Sequence, residues 1–320
     1  MERLGISVPS GDVDFREQVQ MVRRAEELGY TDAWSSEVNG NDGLSLLAGA
    51  AAVTERIRMG TAILPVYTRG PALLAMSIAS MAQLAPGRFV AGLGSSSNII
   101  VENWNAVPFE QPYQRVRDTV DFVKAALTGE KVEEAYETFN IKGFRLEAVP
   151  DERPPVVVAA LREGMLRLAG RRADGAILNW LSPEDTRKVT AIVREENPDP
   201  EITARLFVIP STDRDRVSKT AARMITTYLN VPVYAAFHRW LGRGDQLEDM
   251  WRLWAEGDRK GALAAVPNAV IDELIIHGSV DECRARIQEY VDAGIRTPVM
   301  AITDLDGRGP WHWLETFAPG

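Results

Sequence analysis

The residues whose types and spacing most suggest chemistry form the stretch FVAGLGSSSN, residues 89–98. An apolar run leads into Gly92 and Gly94, and three serines and an asparagine follow. This spacing begins like the dinucleotide fingerprint G-x-G-x-x-G, whose glycines let a pyrophosphate approach the backbone at a helix N-terminus. The third glycine position holds Ser97, so the pair could serve either cofactor contact or close packing.

Other reactive side chains are few. The chain has three histidines, His238, His277 and His312, and one cysteine, Cys283. Neither H-x-x-x-H nor C-x-x-C spacing occurs, which argues against a zinc site, and we expect no metal. Cys283 lies in a helical pattern and is interpreted as a packing residue. His238 is interpreted as a surface or packing residue.

Composition narrows the class of protein. The 320 residues are 45% hydrophobic and 25% charged, which is typical of globular proteins. The net charge of −9 disfavours nucleic acid as a partner. No apolar run approaches the roughly 20 residues of a membrane span, and the first residues do not read as a signal peptide. We therefore expect a cytoplasmic protein that acts on a small molecule, without a membrane partner.

Short apolar segments alternate with longer amphipathic ones along the chain, and each predicted strand is followed by a helical pattern. Pro71 and the pair Ser182–Pro183 mark two of the helix starts. The predicted strands cover residues 3–8, 31–37, 57–64, 88–94, 154–160, 174–180, 202–211 and 297–303. Eight βα units in a chain of this length indicate an α/β fold, a TIM (β/α)8 barrel. We expect a single domain over residues 1–320.

Two segments interrupt the alternation. A β excursion is predicted near residues 129–150, and a tryptophan-rich helical insertion near 229–267. The insertion could be a capping helix pair, a pocket wall or a dimer contact. An open doubly wound sheet is the alternative fold, but its glycine fingerprint belongs in the first βα turn. That turn, VPSGDVDF, has none, and the glycine pair lies at the fourth strand.

Active sites of TIM barrels lie at the C-terminal ends of the strands. These ends comprise 8–10, 35–39, 61–64, 92–96, 159–162, 179–180, 208–210 and 302–304. They contain no histidine, cysteine or lysine and are rich in small residues and serines. A hydrolase with a nucleophile and a base is hard to assemble from them. They suit a protein that binds a large planar cofactor and leaves the chemistry to it.

Five segments carry a family resemblance: AEELGYTDAWSSE (25–37), IRMGTAILPVYTRGP (57–71), MAQLAPGRFVAGLGSSS (81–97), VENWNAVPFEQPYQRVRD (101–118) and PPVVVAALREGMLRLAGRRADGAILNWLSPE (154–184). In these segments the chain resembles the luciferase-like monooxygenase superfamily. Within it, the chain is similar to the coenzyme F420-dependent oxidoreductases, including methylenetetrahydromethanopterin reductase-like members. The resemblance implies a TIM barrel with insertions and, since dimers are common there, a homodimer.

The resemblance also implies positions for a deazaflavin ring. A non-prolyl cis peptide at Ala62–Ile63 would back the middle ring of the cofactor. Glu37 would face the ring edge and is the candidate for proton transfer, although it could also be a solvated loop acid. The next residue is Val38, where sugar-phosphate-oxidising members often have histidine, so that proton acceptor is missing.

Two further groups of residues complete the implied site. Gly94, Ser95, Ser96 and Asn98 would line the pocket at the fourth strand. Ala159, Ala160, Leu161 and Arg162 would hold the cofactor phosphate on amides at a helix N-terminus, which suits an anion, with a contact from Arg162. We expect no helix to follow the fourth strand directly, so that phosphate binding falls to this second group.

The function predicted from this resemblance is hydride transfer between F420 and an unknown small organic substrate. One alternative is an FMN-dependent monooxygenase on the same scaffold. Another is a non-catalytic deazaflavin-binding protein, which the absence of histidine at position 38 keeps open. A sugar-phosphate lyase or isomerase remains conceivable through Gly307 and Gly309 after the last strand.

Overall fold

Eight parallel strands and their helices form the framework of the protein. A computed structural model describes residues 2–11 and 13–319. The strands are β1 (Gly5–Val8), β2 (Asp32–Ser35), β3 (Arg58–Thr61), β4 (Leu64–Pro65), β5 (Phe89–Gly94), β6 (Val132–Ala135), β7 (Asn140–Phe144), β8 (Val156–Ala159), β9 (Gly175–Asn179), β10 (Glu201–Ile209), β11 (Ile276–His277) and β12 (Thr297–Ile302).

The helices surround these strands. They are α1 (Phe15–Glu27), α2 (Gly43–Ala51), α3 (Pro71–Leu84), α4 (Pro112–Ala126), α5 (Glu163–Arg172), α6 (Pro183–Glu196), α7 (Arg214–Leu229), α8 (Pro232–Trp240), α9 (Gly244–Ala255), α10 (Arg259–Ala264), α11 (Asn268–Leu274), α12 (Val280–Asp292) and α13 (Pro310–Thr316). None of the helices in the described part of the chain combines the length and apolarity that a membrane span requires.

The strands close into a ring. Parallel pairing runs β1–β2–β3–β5–β8–β9–β10–β12 and returns from β12 to β1. The predicted TIM barrel is therefore confirmed. Pro71 is the first residue of α3, and Ser182 caps α6 in a capping box with Asp185, as the sequence predicted.

Both interruptions of the barrel lie where the sequence placed them. The β excursion is an antiparallel hairpin of β6 and β7, and the helical insertion consists of α8, α9 and α10. Arg243, a buried residue of the insertion, donates to Asp185 at 2.7 Å and to Glu273 at 2.6 Å. These ion pairs fasten the insertion to α6 and α11.

His238 and Cys283 are both packing residues. Each is fully buried. Burial lowers the pKa of the His238 imidazole to about 3, with Arg243 contributing in the same direction, so the ring is neutral at ordinary pH. Burial likewise raises the pKa of the Cys283 thiol to about 12. Both groups therefore act as packing side chains.

The barrel interior is filled in layers. At its N-terminal end, Arg58 forms ion pairs with Glu201 at 3.1 Å and Asp32 at 3.5 Å. Above this charged layer, Trp34 packs with Val90, Val157, Ile177 and Val299. Trp34 fits because Gly60 on β3 has no side chain, since a Cβ there would lie 2.5 Å from the indole. The interior is consequently solid beneath the C-terminal ends of the strands.

The ladder between β3 and β5 breaks at Thr61. Paired positions move from Gly60 and Val90 to Leu64 and Leu93, so the β3–β4 side holds one extra residue. Thr61 Oγ1 donates to the Gly92 carbonyl at 3.0 Å and accepts from its N–H at 2.9 Å. This hydroxyl replaces the missing ladder partner, and Gly92 thereby has a packing role.

Gly92→Ala should be strongly destabilising, because its Cβ would lie 1.8 Å from the Thr61 carbonyl oxygen. A backbone atom cannot move aside as a side chain can, so we expect a loss of at least about 3 kcal/mol of unfolding free energy. Gly94→Ala is the matched control, because its Cβ would meet only side-chain atoms, at 3.0 Å and beyond. Thermal unfolding of both variants provides the comparison. Equal midpoints for Gly92→Ala and the unsubstituted protein would contradict this packing role.

Candidate functional site

The C-terminal ends of the barrel strands, here called the barrel mouth, carry an apolar shelf. Ala62 and Ile63 leave the sheet between β3 and β4 and pack on the interior cluster around Trp34. Gly94 lies between Ile63 and Ala159, since a Cβ at Gly94 would be 3.0 Å from Ile63 Cγ1 and 3.1 Å from Ala159 Cβ. The structure thus brings four predicted residues from three strand ends into one surface.

The Ala62–Ile63 peptide bond is cis, as the resemblance implied. A second cis bond joins Val8 and Pro9 at the end of β1. The sequence analysis did not anticipate the second bond.

The segment after β5 differs from expectation. Residues Ile99–Trp104 form a π-helical turn that begins directly after Asn98, so the prediction that no helix follows this strand was wrong. Ser96 adopts a left-handed backbone conformation, with φ 62°, which turns the chain away from the barrel. Ser97, which the sequence analysis had considered only as a substituted glycine, accepts from the N–H groups of Ile100 and Val101.

Ser95, Ser96 and Asn98 therefore lie in a tight turn at the mouth. Ser95 and Ser96 are half-buried and Asn98 is exposed. Among the described residues, the Asn98 side chain does not cap the turn. The two half-buried serines lie beside the shelf.

Glu37 is held in an ion pair. Its two carboxylate oxygens accept from Arg69 Nη1 at 2.6 Å and Nη2 at 2.7 Å, and Oε1 also accepts from the Gly43 N–H. Arg69 Nη2 also donates to Asp42 at 2.5 Å. Hydrogen bonds to Glu37 raise the pKa of the Arg69 guanidinium above its ordinary value, so it remains charged. Arg69 lies in one of the family-like segments, but its pairing over 32 positions is not visible in the sequence.

Ala159–Arg162 lead from β8 into α5. The Ala160 N–H donates to the Ile177 carbonyl at 3.0 Å, so this amide belongs to the barrel wall. Arg162 is the exposed N-cap of α5, and no side chain in the described part of the chain caps the helix. The first intrahelical bond comes from Leu166, which leaves the N–H groups of 163–165 without intrahelical acceptors.

The start of α5 is also free of an excess negative charge. Glu163, the acidic residue of the first turn, forms an ion pair with Arg167 at 3.0 Å. The Arg162 side chain makes no hydrogen bond or ion pair with residues 2–11 or 13–319. Unpaired amides and a free guanidinium together suit an anion.

A cluster of aromatic side chains lies at the ends of the neighbouring strands β9 and β10. Trp180, at the end of β9, stacks on Phe207 with 4.1 Å between ring centroids, and Tyr228 packs against both. Trp180 has φ 56° and is buried, so it belongs to the core, although the sequence left its role open. Asn179 donates to the hydroxyl of Tyr234 at 3.2 Å.

A small void of about 10 Å³ lies between the shelf and the interior. Its lining includes Ser7, Ser36, Ala62 and Arg205. The sequence analysis missed Arg205, whose signal was a charged residue within the apolar run ITARLFVIP.

A larger cavity, of about 530 Å³, lies outside the barrel wall between β1, β12 and α13. Its polar groups are largely engaged: Tyr30 donates to the Leu314 carbonyl, and Asp304 accepts from the N–H groups of 306, 307 and 309. Asp304 thus shapes the glycine-containing loop that the sequence left open as a phosphate site. For these reasons we place the candidate site at the mouth. In the described ranges, no cluster of three or more histidine, cysteine or acidic side chains could hold a metal ion.

Comparison with known proteins agrees with this geometry. The chain is 28% identical over 282 residues to the 5,10-methylenetetrahydromethanopterin reductase of Methanolobus tindarius, covering 85% of each chain. It is 26% identical over 310 residues to the enzyme of that name from Archaeoglobus fulgidus, covering 91% of this chain and 90% of the relative.

Solved structures share the fold. The coenzyme F420-dependent tetrahydromethanopterin reductase from Methanopyrus kandleri superposes with a TM-score of 0.80 at 20% identity, covering 99% of this chain and 97% of the other. An F420-dependent secondary alcohol dehydrogenase, solved with an F420-acetone adduct, gives 0.77 at 17% identity, with the same coverage. The luciferase-like monooxygenase model matches residues 3–297. This protein therefore belongs to the luciferase-like monooxygenase family.

Proposed function

We propose that this protein is an oxidoreductase that binds coenzyme F420 and transfers a hydride between its deazaflavin and a small organic substrate. The observation that carries the proposal is the shelf of Ala62, Ile63, Gly94 and Ala159, close to the start of α5. Relatives named as F420-dependent enzymes, which match 88% and 99% of this chain, support it.

The residues present fit such a cofactor. Gly94 leaves the space that a Cβ would occupy, so a flat ring can lie against Ile63 and Ala159. Ser95 and Ser96 offer hydrogen bonds at one edge, with Asn98 further out. When bound, F420 supplies an obligate two-electron carrier, because carbon replaces N5 of the flavin. The chain itself orients the ring and excludes water from one of its faces.

Binding of F420 provides the direct test. We expect the purified protein to quench F420 fluorescence and to gain about 2.7 kcal/mol of unfolding free energy at a hundredfold excess over Kd. FMN is the matched control and should give neither effect. Uptake of FMN alone would contradict the proposal and favour the flavin-dependent monooxygenase. Uptake of F420 without turnover of any hydride donor or acceptor would favour a binding protein.

The cofactor phosphate is proposed to lie at the start of α5, bound by the amides after Leu161 and by Arg162. The Ala160 N–H already donates to the Ile177 carbonyl in the barrel wall, so it is not available to the phosphate. Ala160 contributes only to the backbone conformation of this loop. The uncapped first turn and the free guanidinium support this assignment.

Arg162→Ala should raise the Kd for F420 about tenfold, because one charge-assisted hydrogen bond contributes about 1.5 kcal/mol. The Kd of the deazaflavin chromophore without its phosphate-bearing tail should not change. Arg172→Ala, at the other end of the helix and paired with Asp121, is the control. Fluorescence titration measures the Kd of both ligands for the unsubstituted protein and the two variants. An equal loss of affinity for both ligands would place the phosphate elsewhere.

Glu37 remains the proposed group for proton transfer at the ring edge. Both of its oxygens accept hydrogen bonds from Arg69, so the carboxylate is held in one orientation. Arg69 and Asp42 fix its position relative to the shelf.

We also propose a cytoplasmic homodimer in which residues 1–320 act as one domain. The ion pairs of Arg243 support one domain, because they connect the insertion to helices of the barrel. The outer face of α3 supports a dimer: Leu73, Met76 and Leu84 lie on one helical face, and each is at least 45% exposed. Such a face is a common protein interface.

Leu73→Glu with Met76→Glu should convert the dimer into a monomer, because it would bury two uncompensated charges in the interface. Val233→Glu replaces an exposed apolar residue of α8 and should leave the mass unchanged. Light scattering measures the molar mass of both variants. A dimer that survives the double substitution would exclude this face.

A further inference from the structure

Arg205 is a cation at the barrel mouth that has no ion-pair partner among the described residues. It lies on β10 in register with Asn179 on β9 and Val299 on β12. It lines the void together with Trp34 and Ala62, so the side chain is directed into the barrel and towards the shelf. It forms no hydrogen bond or ion pair with residues 2–11 or 13–319, and its Nε is buried and unpaired.

Arg58 and Arg243, two other inward or buried arginines, each have carboxylate partners, although Arg58 Nε and Nη2 and Arg243 Nη1 form no hydrogen bond within the described residues. Arg58 pairs with Glu201 and Asp32 at the base of the barrel, and Arg243 pairs with Asp185 and Glu273. A charge that leaves water needs such partners, because desolvation is costly. The guanidinium carbon of Arg205 lies 5.1 Å from the ring centre of Phe207, and within the described ranges it has no carboxylate partner. Its carboxylate or equivalent partner is therefore absent from its own surroundings in the described chain.

Further unpaired polar atoms lie in the residues next to Arg205. Asn179 Oδ1, Thr203 Oγ1 and Trp180 Nε1 are buried without hydrogen-bond partners. Thr203 lines the same void as Arg205. Buried polar groups are rarely left unpaired in proteins, so this concentration of unpaired groups indicates a site that a polar ligand completes.

The walls around these groups are flat and aromatic. Trp180, Phe207 and Tyr228 form the stack, and Tyr234 packs edge-on against Tyr228. Tyr234 Oη accepts from Asn179, which leaves its proton available. Burial raises the pKa of Tyr234 above its ordinary value, so the phenol remains a donor. A guanidinium and a phenol donor at the same end of the barrel favour a ligand with a negative oxygen.

We propose that Arg205 and Tyr234, next to the buried stack of Trp180 and Phe207, form the substrate subsite, and that the substrate is an organic acid whose carboxylate pairs with Arg205. This inference rests on the proposed function, because it places the substrate next to the shelf that receives the cofactor. It defines a substrate class and a specificity-determining residue.

The test uses the F420-loaded protein and two probes of matched shape, cinnamate and cinnamyl alcohol, titrated by calorimetry. Cinnamate should bind at least tenfold more tightly than the alcohol. Arg205→Met, which keeps the apolar stem, should abolish that preference, and Arg205→Lys should restore part of it as a point charge. Arg223→Met, an exposed position on α7, should behave as the unsubstituted protein.

Fluorescence titration of F420 separates this inference from the proposed function. Unchanged F420 affinity in Arg205→Met supports the substrate subsite, whereas its loss would assign Arg205 to the cofactor and overturn the inference. Equal binding of cinnamate by Arg205→Met and the unsubstituted protein would also overturn it. If the unsubstituted protein takes up no F420, the proposed function fails. In that case the cinnamate titrations are repeated on the cofactor-free protein. Weaker binding of cinnamate by Arg205→Met than by the unsubstituted protein then supports the subsite, and equal binding overturns it.

Discussion

The hydroxyl of Thr61 holds β3 to β5 where the ladder between the two strands breaks. It exchanges hydrogen bonds with both backbone groups of Gly92, so the barrel remains closed while Ala62 and Ile63 leave the sheet. The approach is close enough that only glycine fits at position 92. The candidate site thus lies where the barrel wall is interrupted, and hydrogen bonds of that wall hold it in place.

The arginines inside the barrel are compensated differently at its two ends. At the base, Arg58 is compensated by the carboxylates of Asp32 and Glu201. Burial raises the pKa of Asp32 above its ordinary value, although Arg58 acts in the opposite direction. At the mouth, Arg205 lacks such compensation from the described chain. A stable fold favours the first arrangement, whereas a site for a charged ligand requires the second. The apolar layer around Trp34 separates them.

The barrel was predictable because its determinants are local. The β-branched run of β8 and the capping residues of α6 each specify one element, and their alternation specifies the fold. The Ala62–Ile63 geometry followed from resemblance. The pairing of Glu37 with Arg69 could not be predicted, since it joins residues 32 positions apart. The helical turn that follows Asn98 was missed because it depends on the left-handed backbone of Ser96. A serine side chain does not predict that conformation.

The solid interior built by Trp34 over Gly60 has a kinetic consequence. With indole and aliphatic side chains filling the layer below the mouth, the barrel offers no second passage through its centre. Two molecules that meet above this layer must use the same opening. Binding and release of both molecules therefore depend on the side chains that line the mouth.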